Sequence, residues 1–110
     1  MLYYIGKEGD FKIMVTELLG DDLRIFMGKL ESTLSLKTCM MIADQIVCIL
    51  QFLHDRGIVY NDMKPDNFCV GGEANYFHIH MVDFGLSQIF KDKNGAFIAE
   101  EKNSPDITSN

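Results

Sequence analysis

The residues best suited to chemistry lie in the run Tyr60-Asn61-Asp62-Met63-Lys64-Pro65-Asp66-Asn67, and sixteen residues after Asn67 comes Asp83-Phe84-Gly85. Phosphoryl transfer needs such a set: a carboxylate to receive or orient the nucleophile's hydroxyl proton, a cation near the transferred phosphate, and oxygen ligands for Mg²⁺. In that chemistry Asp62 is the candidate catalytic carboxylate, Lys64 the catalytic cation, and Asn67 and Asp83 the candidate metal ligands. Pro65 restricts its own φ and the conformation of Lys64, which holds Asp62 and Asn67 at a fixed separation. Gly85 permits a backbone turn that a side chain would hinder, so that Asp83 can point toward the metals from the end of a strand.

A loop of this kind needs elements to hold it. Residues 2–5 and 11–17 are apolar, β-favouring runs separated by Gly6-Lys7-Glu8-Gly9-Asp10, which predicts a hairpin with a five-residue loop. After a break at Gly20, a capping Asp opens a short helix with Leu23, Phe26, Met27 and Leu30 at helical spacing. Beyond a polar link at residues 31–33, Ser35 caps a longer helix. Its apolar stripe is read as Leu36, Met40, Ala43, Val47, Leu50 and Leu53, widened by Cys39, Ile46 and Ile49. His54, Arg56 and Gly57 mark its end. Residues 58–60 are extended, residues 68–70 and 77–82 read as short strands, and Gly71-Gly72 turns the chain between them. From Lys91 onward the sequence is polar and is expected to be loose. Asp92-Lys93-Asn94-Gly95 opens like a calcium loop but brings Gly fourth instead of sixth, so a turn is the better reading.

Composition bounds the rest. The chain has 110 residues, 47% of them hydrophobic, with eight Phe, which suits one small domain with a packed core. A formal net charge of -6 and a pI near 4.8 leave no basic footprint, so neither nucleic acid nor an anionic membrane is an expected partner. Cys39, Cys48 and Cys69 are odd in number and form no C-x-x-C pair, so no disulfide framework or zinc site is expected and the implied setting is reducing, cytoplasmic or nuclear. The start shows no signal peptide, and the longest apolar stretch, residues 39–53, is interrupted by Asp44 and Gln45, so no membrane span is expected. His78 and His80 share a strand face but have no third ligand at metal spacing, and Tyr60 reads as a core residue.

The segments MVTELLGDDL, SLKTCMMIADQ, FLHDRGIVYNDMKPDNF and HIHMVDFGLS, in this order, resemble the casein kinase I family of protein kinases over most of residues 2–92. The ELLG at residues 17–20, and Tyr60 where most kinases have His, favour that family over other kinases. The resemblance implies an α+β, protein-kinase-like fold in part: the end of the N-lobe hairpin (residues 1–17), the hinge (17–20), and the start of the C-lobe (21–92) with two helices, the catalytic loop and a short β-hairpin. Residues 93–110 would be the start of an activation segment or a tail. It implies that Thr16 is the gatekeeper, that backbone groups of Glu17 and Leu19 bond adenine, and that Asn67 takes part in binding the nucleotide and its metal. The cofactors are then ATP and Mg²⁺, and the substrate a protein Ser or Thr, often near acidic or already phosphorylated residues.

Two departures from the family matter. Asn61 stands where the motif has an Arg that in many kinases pairs with a phosphorylated activation loop, so that form of control is not expected. Thr16 replaces a bulkier gatekeeper, widening the back of the pocket. Before residue 1 there is no Gly-rich loop or strand lysine, and the later helical lobe is also missing, so the chain by itself is expected to be inactive. The alternative reading is a truncated, non-catalytic kinase segment that serves as a binding or interaction protein.

Overall fold

A computed structural model describes residues 1–30 and 34–98, and the expectations for the link at 31–33 and for the tail from 99 lie outside the described residues. Strands β1 (Leu2–Glu8) and β2 (Phe11–Thr16) pair antiparallel with Glu8 opposite Phe11. The hairpin loop is therefore the two residues Gly9 and Asp10, and Lys7 and Glu8 belong to the ladder. Gly9 takes φ 58° and Asp10 does not turn positive, the backbone pattern of a type II′ turn. Nearly every side chain of this hairpin is exposed, so no alternation of apolar residues was needed to carry the strand through residues 6–8.

Helix α1 (Leu23–Gly28) begins where the Asp22 carboxylate accepts the N–H of Ile25 at 2.8 Å. Helix α2 (Leu36–Asp55) begins where the Ser35 hydroxyl accepts the N–H of Thr38 at 3.1 Å, and Gly57 follows its end at φ 73°. Both caps are those expected, each worth about 1 kcal/mol. The apolar stripe is as expected only in part, at Ile46, Ile49, Leu50 and Leu53. Leu36, Met40 and Val47 are 78%, 63% and 61% exposed, while Ile42, Ile46 and Ile49 face inward and Leu53 is buried. The helix also carries Cys39, Met41, Cys48 and Phe52, so it is apolar around most of its circumference and periodicity has no polar side against which to choose a face.

By length and composition α2 is long and apolar enough to cross a membrane, so the interruption at Asp44 and Gln45 does not exclude a span on those grounds. Only 6% of this apolar stretch is buried among the described residues, and Gln45 is used here for packing. Its Nε2 donates to the carbonyl of Phe77 at 3.0 Å, and its Oε1 accepts the N–H of Ile79 at 2.8 Å.

Among the described residues three two-stranded sheets complete an α+β fold. Strand β3 (Ile58–Val59) pairs with β6 (Gln88–Ile89), which the sequence reading lacks, and β4 (Phe68–Val70) pairs with β5 (Ile79–Met81). β5 is shorter than the expected residues 77–82, because the connection after β4 winds through a 3-10 turn at Glu73–Asn75 and reaches the ladder late. Leu23, Phe68 and Val70 form the buried core, with Phe26, Ile42, Ile46, Ile79 and Met81 against it. Gly20 N–H donates to Val70 O, and Val70 N–H to Asp21 O, both at 2.9 Å, which ties the chain after β2 to the inner strand. Beyond β6 the chain is tighter than expected up to residue 98. Asp92 Oδ1 accepts the N–H groups of Asn94 and Ala96 at 2.8 and 2.9 Å, and Lys91 bridges to Phe97.

Candidate active site

The site is organised by Tyr60, which is 1% exposed at the end of β3. Its ring packs at 6.4 Å from that of Phe68 and edge-on at 5.5 Å from that of Phe84. Its hydroxyl donates to the carbonyl of Val82 at 2.5 Å, and the N–H of Val82 donates to the carbonyl of Asn67 at 2.9 Å. Both backbone groups of Val82 are thus held by the loop of Asp62, and Asp83 leaves from a fixed point. Asp83 and Asn61 adopt φ 60° and 66°, a left-handed backbone that Asp and Asn visit more readily than other non-glycine residues. Such strain costs on the order of 1–3 kcal/mol per residue and gathers at functional sites.

Within the loop, Asp62 Oδ2 lies 2.9 Å from Lys64 Nζ and accepts from Asn67 Nδ2 at 2.7 Å. The same Nδ2 donates to the backbone carbonyl of Asp62 at 3.0 Å. The Lys64 ammonium, then the Asn67 amide, hold the Asp62 carboxyl below the usual carboxylate range. Lys64 is raised by that same bond, with further help from the charges of Asp83 and Asp66. Asp62 is therefore an ionised acceptor and Lys64 a cation at neutral pH, and Lys64 senses Asp83.

Asn67 is 4% exposed and is set in place by a 3-10 turn, Pro65–Asn67. Its amide N–H₂ is spent on Asp62, and among the described residues its Oδ1 has no partner. Asp83 Oδ1 accepts the N–H of Gly85 at 3.1 Å, leaving its other oxygen without a partner among the described residues. Two oxygen donors of this kind fit Mg²⁺, which takes few protein ligands and completes its shell with water and phosphate oxygens. Among the described residues no group of three His, Cys, Asp or Glu could hold a metal.

The structure thus brings Asp62, Lys64 and Asn67 into contact and joins Asp83 to them through Val82. Thr16, Glu17 and Leu19 stand apart, connected to the loop through Gly20 and β4. The Thr16 hydroxyl donates to the Glu17 carbonyl at 3.2 Å, and among the described residues neither the N–H nor the C=O of Leu19 has a partner. One residue that sequence reasoning missed is Arg24, whose Nε donates to Asp66 at 2.6 Å and so fastens α1 to the loop across 42 positions. Only a basic residue two positions after a cap hinted at it. Two cavities among the described residues, about 270 and 230 Å³, are apolar; the smaller lies under Met63, Lys64 and Pro65, and neither is lined by Asp62 or Asp83. Within the polar cluster Lys64 and Asp83 are exposed, Asp62 is half-buried and Asn67 is buried. The family model of the protein kinase domain matches residues 1–109 of the chain.

Proposed function

The chain belongs to the protein kinase family, and we propose that it is the hinge and catalytic-loop portion of an ATP- and Mg²⁺-dependent Ser/Thr kinase of casein kinase I type. The observation that carries this reading is the double hold on Val82, which delivers Asp83 to the loop of Asp62, Lys64 and Asn67. Asp62 orients a substrate hydroxyl and accepts its proton as the oxygen attacks the γ-phosphorus and the bond to the bridging oxygen of ADP breaks. Lys64 stands beside the transferred phosphoryl group. Asn67, through Oδ1, and Asp83 would hold Mg²⁺, which supplies charge compensation for the phosphates. The open N–H of Leu19 and the carbonyl of Glu17 serve adenine, with Thr16 at the back of the pocket. The family leaning toward acidic or already phosphorylated protein segments is part of this proposal.

Residues 11–92 grafted into a complete related kinase should support turnover, and Asp62→Asn in the same chimera should reduce it at least about a hundredfold. Equal activity of the two chimeras would remove the role of Asp62. A second reading, a non-catalytic interaction protein, is favoured by the exposed Met40, Val47 and Phe52 on α2. Under it both chimeras are inactive.

A further inference from the structure

The chain after Gly85 is joined to the loop of Asp62 by side chains that phosphoryl transfer leaves without a task. Asn61 Nδ2 donates to the carbonyl of Leu86 at 3.2 Å. Ser87 Oγ donates in the opposite sense, to the carbonyl of Tyr60, at 3.3 Å. Next to these bonds Val59 pairs with Gln88 and Ile58 with Ile89, and Phe90 N–H donates to Gly57 O at 2.8 Å. None of these groups carries a charge. Asn61 can do this because a short amide tolerates the left-handed backbone at φ 66° and reaches a nearby carbonyl.

We infer that Asn61 and Ser87 are positioning residues, a neutral latch that holds residues 86–89 against the loop of Asp62 and fixes the chain on both sides of Asp83 without a phosphate or an ion pair. The inference rests on the reading of Asp62 and Asp83 as parts of one site. An ionic latch weakens as salt rises, whereas a neutral one does not.

The test is amide hydrogen exchange at Phe90 in the whole chain, together with the thermal shift produced by Mg²⁺-ATP. Asn61→Gly permits the same left-handed backbone while removing the side chain and loosening the backbone, and Ser87→Ala removes only the hydroxyl. Each should speed exchange at Phe90 roughly threefold to tenfold, the loss of one net hydrogen bond. Ser87→Thr, which keeps the donor, should restore slow exchange, and the wild-type rate should not respond to added salt. Both latch-breaking variants should also show a smaller Mg²⁺-ATP shift while α2 amides exchange as before. Wild-type exchange in Asn61→Gly, fast exchange in Ser87→Thr, or opening by salt overturns the latch alone if Mg²⁺-ATP still stabilises the chain. The expected exchange pattern with no stabilisation by Mg²⁺-ATP overturns the site reading and, with it, the positioning role.

Discussion

Around Asp62 the chain buries Tyr60 and Asn67 to 1% and 4% exposure, and the bonds that hold them join residues five to twenty-two positions apart. In the β1–β2 hairpin Leu2, Tyr4, Phe11 and Met14 are 54%, 52%, 76% and 67% exposed, and the bonds are those of one local ladder. The difference teaches where the information for each half of the site resides. The loop of Asp62, proposed to hold metal and phosphate, is shaped by its own side chains, whereas the proposed hinge at residues 17–20 is placed by a hairpin that alone is marginal in water.

Substitutions can break that contrast, beginning with Tyr60. Tyr60→Ala removes a buried ring and should cost on the order of 3–5 kcal/mol. The loss should fall on the loop, measured as accelerated exchange at Asn67 and Val82, with β1–β2 cross-strand contacts retained. Simultaneous loss of the hairpin would show that the two regions fold as one. Gly9→Ala places a side chain at φ 58° and should cost about 1–2 kcal/mol, confined to the hairpin. Its measure is the loss of cross-strand contacts between Lys7 and Lys12 with the loop amides unchanged.

A smaller effect sharpens the contrast through pH. His80 faces Cys69 across the β4–β5 ladder, and its Nε2 is buried without a partner among the described residues. Burial, then the charges of the amino terminus and His78, push its pKa below the ordinary 6.5. The unfolded chain therefore binds the proton first, and stability falls as pH drops from about 6.5 toward the folded value. Melting temperatures followed from neutral to mildly acid pH should decline in the wild type and decline less in His80→Leu. Asp62, held low by Lys64, loses its contribution only in more acidic solution.

Much of this was legible in the sequence where the cause is local. Asp22 and Ser35 announced their helices because capping acts over three residues, and Gly57 because the chain needs a left-handed residue there. Asp62, Lys64 and Asn67 were legible as types at a spacing, since Pro65 and the 3-10 turn constrain them within one short loop, and Asp83 was legible as the start of Asp-Phe-Gly after a strand. What remained hidden depends on distant partners. Strand β6 is two residues long and exists through Ile58 and Val59, and the packing face of α2 is chosen by β3 and β5 and not by its own periodicity. The hold of Tyr60 on Val82 and of Arg24 on Asp66 spans 22 and 42 positions, beyond any pattern read along the chain.

The proposed convergence of Asp62, Lys64, Asn67 and Asp83 on one metal-bound nucleotide is tested most directly by comparing wild type with Asp83→Asn in thermal melts with Mg²⁺-ATP. Asn tolerates the same left-handed backbone, so the fold is kept while a charged oxygen is lost. The wild type should gain about 2.7 kcal/mol at roughly a hundredfold excess of nucleotide over its dissociation constant, and Asp83→Asn should lose the Mg²⁺-dependent part of that gain. Equal stabilisation of both proteins, or none in either while both remain folded, would contradict the account.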